Sequence, residues 1–137
     1  MTTRSSDIAR AFEIGDVNEY PVIAADIIYE GSAVGDNGSG YARPLTAADS
    51  FLGFAESQAD NSAGAAGAET VRVKDRGKVV ASVTGVTGVG DVGSSVYMSD
   101  DDVFTLTSTS NSLVGKVVRY ISGTQVVVAF KSSALPD

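Results

Sequence analysis

Chemistry in this 137-residue chain depends on carboxylates, lysines, tyrosines and hydroxyls, because the sequence contains no His and no Cys. It therefore has no thiol nucleophile, no disulfide, no imidazole base and no zinc site of the usual kind. No pair of carboxylates, and no Ser with a Lys, has a spacing that identifies an acid–base or nucleophilic site. We expect no catalytic residues, no cofactor and no enzymatic activity.

The densest acidic cluster is Asp100-Asp101-Asp102, which together with Asp91 has the oxygen ligands that Ca²⁺ prefers. The cluster lacks the alternating ligands, central Gly and closing Glu of an EF-hand loop. A solvated turn between two strands is the favoured interpretation. We expect no metal site.

The most regular charged pattern is a stripe of four cations at alternate positions: Arg72, Lys74, Arg76 and Lys78. In one extended segment, alternate side chains share a face. The stripe is a candidate contact surface for another subunit or an acidic partner. The alternative is an amphipathic strand or hairpin whose charged side faces solvent.

Charge and hydropathy exclude other partners. The net charge is −7, which argues against binding to nucleic-acid phosphates. The acidic excess lies in residues 11–60, whose net charge is −8. The sequence contains no run of 18 apolar residues, the length needed to span a bilayer. The N-terminus also lacks the apolar stretch of a secretory signal. We expect synthesis in the cytoplasm, with neither nucleic acid nor membrane as a partner.

The elements that would position these groups are short strands rich in β-branched and aromatic residues. They are predicted at 22–29, 51–55, 70–74, 78–84, 96–98, 103–107, 113–121 and 125–130. Turn clusters rich in Gly, Asp and Ser separate them. Many short strands without a long helical period indicate an all-β fold, a small β-barrel or β-sandwich.

The halves of the chain show a weak internal similarity. Ser50-Phe-Leu-Gly53 is similar to Ser112-Leu-Val-Gly115, and valine-rich strands follow at 71–73 and 126–128. The Gly-Asp turns at 35–36 and 90–91 are also similar. The unequal spacings indicate similar construction and do not establish duplication.

Residues 1–19 are predicted to form an N-terminal arm, and residues 20–137 a single β domain. Ile8 and Phe12 are four positions apart, so a short helical turn would place them on one face. Such a short helix is marginal alone in water, and a frayed terminus is the alternative.

An ordered series of motifs resembles the head decoration, or capsid cement, proteins of tailed bacteriophages. The resemblance covers roughly residues 15–131, and no catalytic motif contributes to it. The motifs include Ile28-Tyr-Glu-Gly31, Gly40-Tyr-Ala-Arg-Pro-Leu-Thr-Ala47, Phe51-Leu-Gly-Phe-Ala55, Gly77-Lys-Val79, Ser99-Asp-Asp101 and Val126–Phe130.

The resemblance implies a structural protein of the virion that binds the outer surface of an expanded head, typically as a homotrimer. It would stabilise contacts between subunits of the major capsid protein, its partner besides itself. In this family the N-terminal arm commonly helps to grip the shell. This role maps here onto Arg4, Ile8, Arg10 and Phe12, which offer ionic and apolar contacts.

A surface-displayed β-sandwich module for adhesion or carbohydrate binding is the alternative function. Such sites usually expose aromatic rings that stack on sugars. This chain has five Tyr, five Phe and no Trp, and most of these aromatics fall within predicted strands.

Overall fold

The computed structural model describes residues 5–7, 9 and 15–136. Within them the chain forms twelve β-strands and one 3-10 turn, which confirms the all-β prediction. The strands are β1 Val17–Pro21, β2 Asp26–Ile28, β3 Ala33–Asp36, β4 Ala42–Pro44, β5 Ser50–Ala55, β6 Ala59–Asn61, β7 Thr70–Lys74, β8 Arg76–Thr84, β9 Ser95–Met98, β10 Phe104–Thr105, β11 Ser112–Ser122 and β12 Gln125–Lys131. The 3-10 turn is Val89–Asp91.

Ten of the strands form two five-stranded sheets. The N-terminal sheet has the order β1-β7-β5-β3-β4, and the C-terminal barrel has the order β10-β8-β12-β11-β9. A parallel pairing of β10 with β8 closes the barrel, with Phe104 opposite Val83. In the N-terminal sheet a single parallel bridge joins Val22 to Ala42. Strands β2 and β6 pair separately in a two-stranded sheet.

The two sheets share one topology and one register. In the N-terminal sheet, β3 pairs with β5 through Asp36–Ser50 and Val34–Gly53. In the barrel, β9 pairs with β11 through Met98–Ser112 and Val96–Gly115, so each residue follows its counterpart by 62 positions. Both pairings contain a bulge just before the glycine.

Hydrogen bonds in the loops repeat at the same spacing. The N–H of Gly31 donates to the carbonyl of Ala55, and the N–H of Gly93 to that of Val117. Ala48 and Ser110 are counterparts, and both have a positive φ, of 74° and 59°. The chain therefore contains the same five-stranded unit twice.

The interiors of the two units also correspond. Six pairs of counterparts are all buried: Val22 and Val83, Val34 and Val96, Leu52 and Val114, Ala55 and Val117, Val71 and Val126, and Val73 and Val128. This pattern is the inward half of the period-two alternation that β-strands require.

An aromatic cluster joins the N-terminal sheet to the barrel. Phe51 and Phe54 of β5 meet Phe130 of β12 at ring-centroid distances of 6.3 and 4.8 Å. Phe54 also stacks on Phe104 of β10 at 5.9 Å. Edge-to-face and stacked rings stabilise a contact beyond their buried area. The two units therefore share one apolar core at their junction.

The structure changes several predicted boundaries. The strand predicted at 22–29 is interrupted by a turn after Val22, where Ala25 has a φ of 58°. The strand predicted at 103–107 is only Phe104–Thr105. The chain pairs from Val17 onward, so residues 17–19 of the predicted arm belong to β1.

The internal similarity is closer than the sequence indicated, but one part of it was aligned wrongly. Ser50–Gly53 and Ser112–Gly115 are counterparts, as predicted. The Gly-Asp turns are not, because Gly35 corresponds in register to Tyr97. The two turns are similar in composition but lie at different places in the repeated unit.

Candidate interaction surfaces

The contact groups of the predicted capsid-binding arm lie outside the described part of the chain. Its four named residues, Arg4, Ile8, Arg10 and Phe12, are not among the residues that the structure describes. The predicted helical turn involves Ile8 and Phe12 and falls outside it as well. Both remain predictions.

The structure divides the predicted cationic stripe between the two units. Arg72 and Lys74 lie on β7 of the N-terminal sheet, and Arg76 and Lys78 lie on β8 of the barrel. Asp75 is buried between them, with 4% of its surface exposed. The alternation persists, since Arg72, Arg76 and Lys78 are exposed and Lys74 is half-buried.

Two of the four cations already have carboxylate partners. The Arg72 Nε donates to Glu56 Oε2 at 2.8 Å, and the Lys74 Nζ lies 2.9 Å from Asp16 Oδ2. The hydrogen bond and charge of the Lys74 ammonium lower the pKa of Asp16 below 3.8. Within the described residues, Arg76 and Lys78 form no ion pair.

The acidic cluster forms a turn between β9 and β10. Asp100 Oδ1 accepts hydrogen bonds from the N–H groups of Asp102 and Val103, both at 2.8 Å. Burial, followed by the charge of Asp100, raises the pKa of Asp101. Across the described residues, no group of three or more acidic side chains is arranged to hold a metal ion.

The Gly-Asp turns use their carboxylates to hold backbone. Asp36 Oδ1 accepts from the N–H groups of Gly38 and Gly40, at 2.8 and 3.0 Å. Asp91 Oδ2 accepts from Thr87 and Gly88, and these N–H groups lower the pKa of Asp91. Such bonds explain Asp in tight turns without any role in binding.

Two open grooves lie on the surface of the described residues. One, of about 400 Å³, has Phe54, Phe104 and Phe130 in its lining and Lys78 and Asp102 among its charged residues. The other, of about 370 Å³, lies between β11 and the C-terminal segment and is lined by Leu113, Lys116 and Leu135 among others.

Sequence reasoning missed an exposed apolar surface on the barrel. Four valines form this valine face: Val80, Val92 and Val118 are exposed, and Val127, with only 6% of its surface exposed, pairs with the strands on either side. Val80 is 58% exposed and lies opposite Val127 in register. A β-bulge places Val118 and Arg119 against the other side of Val127. The N–H of Gly93 donates to the carbonyl of Val117. Val92, the residue before Gly93, therefore lies beside Val118, the residue after Val117.

The counterpart surface of the N-terminal sheet is charged. At the positions that correspond to the four valines it carries Glu19, Glu30, Glu56 and Arg72, the acidic face. Glu19 lies opposite Arg72 in register, and Glu56 forms the ion pair described above. Glu30 and Val92, like Glu56 and Val118, are 62 positions apart, but Glu19 and Val80 are 61 apart and Arg72 and Val127 are 55 apart, so no single alignment of the two halves reveals the difference.

No family model, curated protein or solved structure matches this chain. In the described part of the chain, no helix is long and apolar enough to cross a membrane. The chemistry of the surface and the motifs of the sequence are therefore the indications of function.

Proposed function

We propose that this protein is a capsid decoration, or cement, protein of a tailed bacteriophage. It binds the outer surface of the expanded head, as a homotrimer, and stabilises contacts between major capsid subunits. The localisation proposed for it is the virion surface, after synthesis in the host cytoplasm.

The observation that carries this proposal is the uneven surface of the molecule. Residues 15–75 contain ten acidic and three basic side chains, whereas residues 76–136 contain four acidic and five basic ones. Seven of the eight large apolar side chains found exposed in the described residues lie at or after Val80. Concentrated exposed apolar surface is typical of a contact region between proteins.

The chemistry of the described residues supports a structural role. The carboxylates of Asp36, Asp91 and Asp100 hold turns, and those of Asp16 and Glu56 hold cations of the stripe. A cement protein requires many simultaneous contacts and no reactive group. Several attachment points in one oligomer raise the effective concentration of each, so individually weak contacts give tight binding.

Two surfaces are proposed for the shell contact. The first is the arm of residues 1–14, with Arg4, Ile8, Arg10 and Phe12 as its contact groups. The second is the part of the cationic stripe that forms no ion pair within the described residues, Arg76 and Lys78. A segment that becomes ordered on docking loses its conformational entropy at that step, which suits a short arm.

Deletion of residues 1–14 tests the role of the arm. Because β1 begins at Val17, we expect the shortened protein to keep its fold by circular dichroism. We expect its binding to expanded, undecorated heads to be abolished or strongly weakened in a co-sedimentation assay. Normal saturating binding of the folded, shortened protein would contradict the role given to the arm.

A glycan array tests the adhesion alternative. Among the described residues Tyr29 is the one large aromatic side chain that is exposed, at 59%. A single ring is a poor platform for stacking on sugars. We expect no specific glycan binding, and specific binding without heads would favour the alternative.

A further inference from the structure

The duplicated unit allows the two halves of the molecule to be compared position by position. At three exposed positions the N-terminal sheet has a glutamate and the barrel has a valine: Glu19 and Val80, Glu30 and Val92, and Glu56 and Val118. At the strand position between them, Arg72 corresponds to Val127. The repeated unit therefore tolerates a charged residue at the three exposed positions.

The acidic face is the solvent-exposed surface of the N-terminal sheet that corresponds to the valine face of the barrel. Its residues are exposed, and Glu56 pairs with Arg72. The valine face has none of these charges, although Val80 is 58% exposed, Val92 49% and Val118 42%. Since a β-barrel needs no apolar side chains on its outer surface, burial against another molecule accounts for the difference.

We propose that the valine face is the contact surface between copies of this chain, each barrel meeting the barrel of a second copy. An apolar face without charge can pack against the same face of other copies, including around the three-fold axis of the proposed homotrimer. Contact through the barrels also keeps the acidic N-terminal sheets apart, and like charges brought together across an interface would weaken it.

Arg119 gives the valine face a charged border. It shares the bulge with Val118, opposite Val127, and lies exposed beside the apolar surface. Apolar interfaces are commonly bordered by polar groups that remain in contact with solvent. The proposed contact therefore has a valine centre and a charged border.

This inference rests on the self-association in the proposed function, but it does not depend on the capsid partner. It also extends that function, since it assigns the subunit contact to a surface distinct from the arm. The test therefore uses the free full-length protein, without heads.

The test replaces Val80 and Val118 with the residues that occupy the same positions in the N-terminal sheet. Because the fold already accepts glutamate there, we expect V80E/V118E to fold normally by circular dichroism. Sedimentation velocity should show an oligomer for the original chain and a monomer for the variant. Placing charges inside an apolar contact should weaken association roughly tenfold or more.

Leu113→Glu is the matched control. Leu113 is 55% exposed and lies on the same strand, β11, five residues before Val118, or about 16 Å along the strand. We expect this variant to remain oligomeric. A monomeric original chain, or a V80E/V118E variant that stays fully oligomeric, would overturn the proposed contact.

Thiol labelling gives a second, independent measurement. The chain has no Cys, so Val92→Cys and Leu113→Cys each introduce a single reactive thiol. We expect a maleimide to label Val92→Cys more slowly than Leu113→Cys in the oligomer, and equally fast in the V80E/V118E background. Equal rates in the oligomer would place the contact elsewhere.

If the contact test succeeds but the protein does not bind heads, the inference stands and the cement function is wrong. If the protein binds and stabilises heads while the contact test fails, the function stands and the valine face is wrong. The two results are therefore separable.

Discussion

At the scale of single residues, the repeated unit depends on two glycines at corresponding positions. Gly53 of β5 lies against the backbone carbonyl of Lys74, and Gly115 of β11 against that of Ala129. A Cβ atom at either position would overlap that carbonyl oxygen, and backbone has no flexible end that can move aside. Each glycine follows the bulge that bends its strand.

Gly115→Ala is expected to destabilise the protein by about 1–3 kcal/mol, because the added methyl forces two paired strands apart. Chemical denaturation measures the free energy of unfolding. Gly90→Ala is the control, since nothing lies within 4 Å of a Cβ there. The control should change stability by less than about 0.5 kcal/mol. Equal stability of the two variants would contradict the close approach.

Asp16 gives the ion pair with Lys74 a defined pH dependence. The pKa of Asp16 is lower in the folded protein than the ordinary 3.8, so the stabilisation is present above 3.8 and disappears as pH falls through the folded pKa. We expect Asp16→Asn to have a lower melting temperature than the original chain at pH 7. The two should melt alike well below pH 3.8. A difference that persists in acid would mean that the substitution acts through something other than charge.

The sequence was informative about some candidate residues and uninformative about others. Alternation in the sequence was sufficient to place Arg72, Arg76 and Lys78 in exposed positions, although Lys74 is half-buried. It could not predict that Arg72 and Lys74 are paired, because Glu56 and Asp16 are 16 and 58 positions away. The valine face was missed because isolated valines on separate strands have no signature in the linear sequence.

At the scale of elements, the two units differ most in the connection that follows their central strand. In the barrel, β11 and β12 are joined by a tight turn at Ser122–Gln125. In the N-terminal sheet, β5 and β7 are separated by β6 and a loop rich in Gly and Ala. The Nδ2 of Asn61 holds this loop by donating to the carbonyls of Ile23 and Ala65, at 2.8 and 3.0 Å.

Asn61→Ala is expected to cost about 1–3 kcal/mol, because the substitution leaves backbone carbonyls in a buried region without their donor. Asn111→Ala is the control, since the Asn111 amide donates to an exposed carbonyl, that of Thr107. Thermal melting followed by circular dichroism distinguishes the two variants. Equal losses would mean that Asn61 contributes no more than a surface amide.

Strand prediction succeeded where the valine-rich alternation is long and failed where pairing is brief. Strand β7 has its predicted bounds, and β5, β11 and β12 differ from theirs by at most one residue at each end. The short strands β3, β4 and β6 contain Gly, Pro, Asp and Asn, residues that are disfavoured in strands. Distant partners stabilise them, and a local pattern cannot show those partners.

At the scale of the whole molecule, a single chain carries two copies of one unit whose surfaces differ. The N-terminal copy holds the acidic residues, and the barrel holds most of the exposed apolar side chains. The phenylalanine cluster fixes the two copies against each other, so both surfaces have a defined relative position. This division suits a protein that faces solvent on one side and other proteins on the other.

The proposed strengthening of a phage head from outside predicts that decorated heads survive heating longer than undecorated ones. Expanded, DNA-filled heads without decoration would be heated with and without the purified protein, and DNA release followed with a dye. We expect decorated heads to retain their DNA longer and to a higher temperature. Equal lifetimes, with the protein bound to saturation, would contradict the cement function.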